Sequence, residues 1–253
     1  MSGGRKVAER RSREDSPVRV EAARLAKETG IPKHLAHQVA LGSLSLHDVL
    51  SRMATRAKVE GLVKRHGLPK SLATQIALGQ ADLNHILRKR RLAEHIEENR
   101  ARSILVEAQE SGEKLVLGLH GKKSIRGVIK AIDAYEVQVE EEGAQTHTIH
   151  KLQIKYACRE ADSRAVRNQI KRDKERKEAV EPIWKPQDRY GCSDRRLFAV
   201  LDEKVAVTAT TLEGEIFNGT VAWMGRWEFG MALKKKNARV VVFRHALADF
   251  RRA

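Results

Sequence analysis

The sequence predicts an α+β protein: an N-terminal all-α helical repeat, then two small, bent, five-stranded β-barrels joined by a charged helical linker. Three observations carry that prediction. A stretch of 21 residues returns 37 positions on, and the apolar spacing changes from helical to alternating at Gly112. Two later blocks rich in Val, Ile and Gly then follow one plan.

Composition frames those elements. Of 253 residues only 4% are aromatic and 32% are charged, which fits several small cores with charged connections better than one large core. The 49 Lys and Arg outnumber the 33 Asp and Glu, giving a formal net charge of +16. That balance points to a polyanionic partner, nucleic acid first and an anionic membrane surface second. No apolar run is long enough to span a bilayer, and the opening MSGGRKVAERRSRED does not read as a signal peptide. Cys158 and Cys192 match neither a metal spacing nor a disulfide framework, and read as free thiols in a reducing cytoplasm.

Residues 1–18 are basic, polar and aperiodic, and are predicted to be a disordered tail. Residues 19–111 are predicted to be the helical repeat domain. GIPKHLAHQVALGSLSLHDVL (Gly30 to Leu50) returns as GLPKSLATQIALGQADLNHIL (Gly67 to Leu87) with eleven of the 21 positions identical. Pro32 and Pro69 suit the first turn of a helix, where a missing N–H costs nothing. Gly42 and Gly79 suit a left-handed C-terminal cap. Leu35, Val39 and Leu46, with Leu72, Ile76 and Leu83 in the second copy, form the predicted buried stripe. The helix-turn-helix pattern of DNA readers is one reading, although Ala36 to Gly42 is a longer spacing than such motifs use. Modules that bind RNA backbone or another protein, or that are purely structural, are the others. Lys33, Lys70, Arg88, Lys89, Arg90 and Arg91 would enlarge a phosphate footprint.

The first barrel is predicted over 112–158 and the second over 195–253, the latter opened by the short helix DRRLFAVLDE. Between them 159–194 reads as a charged helical linker ended by Pro182 and Pro186. Each block runs a first strand into a Gly turn (Gly121, Gly214) and opens the next strand with another Gly (Gly127, Gly219). A long bent strand, a tight charged turn (EEEGAQ, KKKNAR), a short strand and a basic pair follow. Glycines at those places let a small sheet curl and let backbones approach.

LEGEIFNG, WMGRWEF and FRHAL (Phe243 to Leu247) resemble, in order, the motifs of the Sm-like RNA chaperone family of bacteria, Hfq, over roughly 195–250. Phe243-Arg244-His245-Ala246-Leu247 keeps the chemical types of that family's Tyr-Lys-His-Ala-Ile. Aligned this way, the block carries a two-residue insertion around Met224-Gly225. The first block resembles a more diverged copy. Its AIDAYEV keeps Asp133 and an aromatic, Tyr135, and its IHKLQI presents the basic pair reversed, as His150-Lys151. Gly121 to Gly127 is one residue longer than the family spacing.

The resemblance implies an RNA site. Phe229, Arg244 and His245 would stack on bases and contact base and phosphate in the second barrel, with Tyr135, His150 and Lys151 in the first. Arg126 would be an auxiliary cation. Stacking on an aromatic ring contributes about 1–3 kcal/mol per base, and Arg supplies a permanent charge with a planar donor fork. Phe243 reads as core. The ring with which the family reads adenine tracts is absent near Thr210. Trp223 and Trp227 either stack on bases or pack on a helix. The edge strands of such barrels need partners, so two barrels per chain imply a homotrimer closing as a pseudo-hexameric ring, with a monomer or dimer as the alternative.

The implied function is chaperoning of single-stranded, U-rich RNA in post-transcriptional regulation. A DNA-binding regulator that uses the helical repeats, with the barrels serving oligomerisation, is the alternative, and an assembly scaffold is a third. No nucleophile–base set, phosphate-binding loop or carboxylate pair points to an enzyme, and no cofactor is implied. His120, His147 and His150 lack Cys or carboxylate partners at metal-ligand spacing.

Overall fold

The computed structural model describes residues 17–143, 145–176, 178, 180–234 and 238–253. Residues 1–16 of the predicted disordered tail therefore lie outside the described residues. So do Ala144 of the EEEGAQ turn, Lys177 and Ala179 of the linker, and Lys235, Lys236 and Asn237 of the KKKNAR turn. Pro17 and Val18, assigned to the tail from sequence, open the first helix. The chain divides into two compact units between Leu87 and Arg88.

Six helices come first: α1 (Pro17–Thr29), α2 (Lys33–Ala40), α3 (Leu46–His66), α4 (Lys70–Ala77), α5 (Leu83–Glu98) and α6 (Ile104–Ser111). Pro32 and Pro69 stand just outside α2 and α4 as their N-caps, in extended conformation (ψ 139° and 141°), rather than inside the first turn. Gly42 and Gly79 carry the left-handed φ of 72° and 74° that ends each short helix. The cores of the two copies are centred on the fully buried Ala36 and Ala73. Of the predicted stripe Ile76 is buried, while Leu35, Val39, Leu46, Leu72 and Leu83 pack half-buried around those centres.

The second unit is built on strands. The first set is β1 (Lys114–Leu119), β2 (Lys123–Ile132), β3 (Glu136–Glu140), β4 (Thr146–His150) and β5 (Ile154–Arg159). The short α7 (Glu160–Arg167), the two-residue β6 (Lys171–Arg172) and α8 (Asp194–Asp202) intervene. The second set is β7 (Ala206–Thr211), β8 (Glu215–Met224), β9 (Glu228–Leu233), β10 (Arg239–Phe243) and β11 (Leu247–Arg252). Pairing runs β11-β7-β8-β9-β10-β5-β1-β2-β3-β4, with β6 added on β8. All of these pairings are antiparallel. The architecture is thus α+β, helices followed by a large antiparallel sheet.

In place of the two separate five-stranded barrels expected, the strands follow one open path. Each set reads fifth, first, second, third, fourth strand, and β10 of the second set pairs with β5 of the first through Val241↔Ala157 and Val242↔Tyr156. Bulges fall at matching places in the second strand of each set, between Ile129 and Ala131 and between Val221 and Trp223. Gly219 sits where a β-carbon would lie 2.1 Å from the Ala232 carbonyl oxygen, and Gly127 where it would lie 2.3 Å from that of Glu140. Those close approaches explain the two sequence glycines.

The linker is also corrected. Helix persists only to Arg167; Lys171 and Arg172 then take a ladder on β8, and the Asp173 amide donates to the Gly214 carbonyl at 2.8 Å. Those ladder bonds draw the chain out of the helix. Among the described residues no helix is long and apolar enough to cross a membrane.

Candidate nucleic-acid groove

The two strand sets repeat at one offset through their first three strands and at one residue more through the last two. Tyr135 therefore corresponds to Trp227, Val137 to Phe229, His150 to Phe243, Lys151 to Arg244 and Leu152 to His245. Matching main-chain bonds bear this out. Asp133 N donates to Glu136 O at 3.0 Å and Gly225 N to Glu228 O at 2.8 Å; Lys151 N donates to Tyr135 O at 2.7 Å and Arg244 N to Trp227 O at 2.9 Å.

The two sets align with each other without a gap at Met224-Gly225, which places Trp227, not Phe229, opposite Tyr135. Phe229 is fully buried and meets Phe250 edge-on at 5.5 Å, so its ring belongs to the core. Trp227, 62% exposed, and Tyr135, 73% exposed, are the accessible pair. The Glu that follows each of them, Glu136 and Glu228, is the sequence signal that fixes this register.

A cavity of about 600 Å³ gathers side chains from both sets and from the linker. Tyr135, His150 and Lys151 come from the first set; Trp227, Glu228 and His245 from the second; Trp184 and Arg189 from the linker. Tyr135 and His150 stack with centroids 6.2 Å apart and planes at 10°, and Trp184 meets His150 edge-on at 4.8 Å. The Nδ1 of His150 accepts from the Leu152 amide at 3.2 Å, which leaves Nε2 to carry the proton of the neutral ring. The Lys151 ammonium donates to the carbonyls of Asp133 and Ala134. Arg189 donates to the Ile183 and Trp184 carbonyls at 2.9 and 2.7 Å, fixing the segment that presents Trp184.

Two groups deeper in the wall hold unusual protonation states. Burial pushes the Glu228 carboxyl up to about 7, against the opposing effect of the Ile104 amide that donates to it at 2.7 Å. Burial lowers His245 to about 4, although its Nε2 lies 2.9 Å from the Ile154 carbonyl oxygen. His245 is therefore neutral at pH 7 and donates from Nε2 to that carbonyl. It braces the seam between β5 and the second set.

Not every predicted site residue reaches the cavity. Arg244, with an 18% exposed side chain, pairs with Asp194 at 2.7 Å and donates to the carbonyls of Cys192, Gly225 and Arg226. It clamps the turn that carries Trp227 rather than facing a ligand. Arg126 pairs with Glu160 at 3.1 Å. Arg88 pairs with Glu203 at 2.5 Å and Arg91 with Asp202 at 2.9 Å, which ties the middle of α5 to α8, and Arg90 pairs with Glu94 at 2.9 Å. Lys89 is exposed on α5, away from the cavity lining. Trp223 is held by Arg102, whose guanidinium lies 4.4 Å from the ring centroid.

Sequence reasoning missed Trp184 and Arg189 as groove residues. A lone Trp between Pro182 and Pro186, in a run otherwise charged, was the available signal. Cys158 and Cys192 are buried and free, and burial raises both thiols, to about 12 and about 11. The groove can thus offer ring faces for stacking beside two cations, the combination single-stranded nucleic acid takes. No model of a known protein family matches the chain, and no curated protein matches it in sequence.

Proposed function

We propose that the chain is an Sm-like RNA-binding protein that takes single-stranded, U-rich RNA into the aromatic groove and acts as a chaperone in post-transcriptional regulation. The carrying observation is the convergence of Tyr135, His150, Trp184 and Trp227 with Lys151 and Arg189 on one cavity. Rings bind bases by stacking, the cations serve phosphate, and a net charge of +16 favours the encounter.

The seam supports the assembly half of the reading. It joins the fourth strand of one set to the fifth strand of the other, and β4 and β11, a fourth and a fifth strand, end the path. A second copy can add by the same pairing. A heterologous contact of this kind closes into a ring when its rotation permits; with the six sets of the resembled family, three chains complete it.

The test is fluorescence anisotropy with a short U-rich RNA, an A-rich RNA and a duplex DNA at one physiological salt concentration. U-rich RNA is expected to bind tightest, and the paired variant Tyr135→Ala/Trp227→Ala to bind it at least about tenfold more weakly. Tightest binding of the duplex, or a variant that binds like the parent chain, would overturn the proposal.

A further inference from the structure

We infer that the helical repeat unit carries two equivalent grooves for a phosphodiester backbone, separate from the aromatic groove. The first, a cavity of about 840 Å³ against α1 and α2, is lined by Arg19, Lys27 and Lys33. The second, of about 740 Å³ against α3 and α4, is lined by Arg52, Arg56, Lys64 and Lys70. Arg56, Lys64 and Lys70 each stand 37 positions after a cation of the first groove, whereas the second groove's Arg52 stands 37 positions after Asp15. The sequence repeat therefore reproduces a cavity and three of its cations as well as a core.

Folding alone does not account for this. The six matched cations are exposed, and packing constrains exposed positions little. Other exposed positions of the repeat have diverged between the copies, His34 against Ser71, Ser43 against Gln80 and His47 against Asn84. The three cations have not. Among the described residues the first groove is lined by no carboxylate, and the second by Glu60, which pairs with Arg56 at 3.0 Å.

The chemistry selects the ligand class. Among the described residues no Phe, Tyr or Trp lines either groove, and the rings present are the imidazoles of His34 and His37 in the first. What they offer is Lys and Arg side chains, three in the first and four in the second, around a small apolar floor, Ala22 and Ile31 in one, Val59 and Val63 in the other. Lys33 and Lys70 also open their helices, where the dipole favours an anion. Such a surface takes sequence-independent phosphate contacts, with RNA or DNA as the source.

The test is the salt dependence of binding by the full chain to U-rich RNA and to duplex DNA. Arg19→Gln/Lys27→Gln/Lys33→Gln, Arg56→Gln/Lys64→Gln/Lys70→Gln and the combination of both are compared with the parent chain. The substitutions fall at exposed positions and are expected to leave the helical circular dichroism intact. Neutralising either groove is expected to flatten the slope of log K against log salt by about 2 on a single strand, and the combination by about 4. Flattening on RNA, on duplex or on both supports the inference and names the polymer. Unchanged slopes on both polymers overturn it, as does loss of binding to an acidic polypeptide alone. Tyr135→Ala/Trp227→Ala is expected to lower affinity without flattening the slope. If that variant is silent while the groove variants flatten the slope, the aromatic groove reading falls and this one stands.

Discussion

Replacing Lys155 by Met is expected to destabilise the sheet unit by about 3–5 kcal/mol, the cost of stranding buried charge by removing its partner. Lys155 lies on β5 of the first strand set, its side chain 1% exposed. Its ammonium donates to Glu213, and to Glu215 at 2.7 Å, both belonging to the second set. Glu213 also accepts from the amides of Gly121 at 2.6 Å, Lys122 at 3.1 Å and Val180 at 3.1 Å. Burial opposes its charge, but the bonds from Lys155, Val180 and Gly121 outweigh that and keep its carboxyl below the ordinary value. Thr211 donates to Glu215. Met nearly preserves the volume of Lys155, removes the ammonium from Glu213 and leaves Glu215 with only the more distant Arg172, at 3.9 Å. The ladder across the seam has only two registered pairs, so this cluster carries much of the coupling between the sets. Urea unfolding followed by tryptophan fluorescence reads the loss. A destabilisation below about 1 kcal/mol would show that the cluster does not hold the seam.

The second large effect separates two aromatics that stand two positions apart. Phe229→Ala is expected to cost about 3–5 kcal/mol, because the ring is fully buried among Met231, Phe250 and their neighbours and leaves a cavity. Trp227→Ala is expected to change stability by about 0.5 kcal/mol or less, since the ring is 62% exposed. The same change is expected to weaken RNA binding about tenfold through the lost stacking face. Thermal unfolding and anisotropy on both variants make the comparison. A stable Phe229→Ala chain that has lost RNA binding would restore the register in which Phe229 is the stacking ring.

Local features were legible in the sequence. The copies at Gly30 and Gly67 show because identical residues serve identical turns, and the positive φ of Gly42 and Gly79 follows from the same stretch. DRRLFAVLDE forms α8, and Gly127 and Gly219 mark true backbone approaches. What the sequence hid was non-local. The β5–β10 seam joins strands from different sets, and no residue pattern announces which edge a strand will choose. Lys122, with φ 57°, stands where the second set has Gly214, so the glycine spacing misaligned the two sets. Arg244 looked like a free cation because its acceptors, Cys192, Asp194 and Gly225, are distant in sequence. Tyr135, His150, Lys151 and His245 follow from the family resemblance, and all four line one cavity.

Cross-linking with U-rich RNA carrying 4-thiouridine, followed by mass spectrometry of the cross-linked peptides, locates the bound bases directly. Base stacking in the aromatic groove predicts cross-links on peptides that contain Tyr135, Trp184 or Trp227, and their loss in Tyr135→Ala/Trp227→Ala. Cross-links confined to peptides outside the groove, or unaffected by those substitutions, would contradict it.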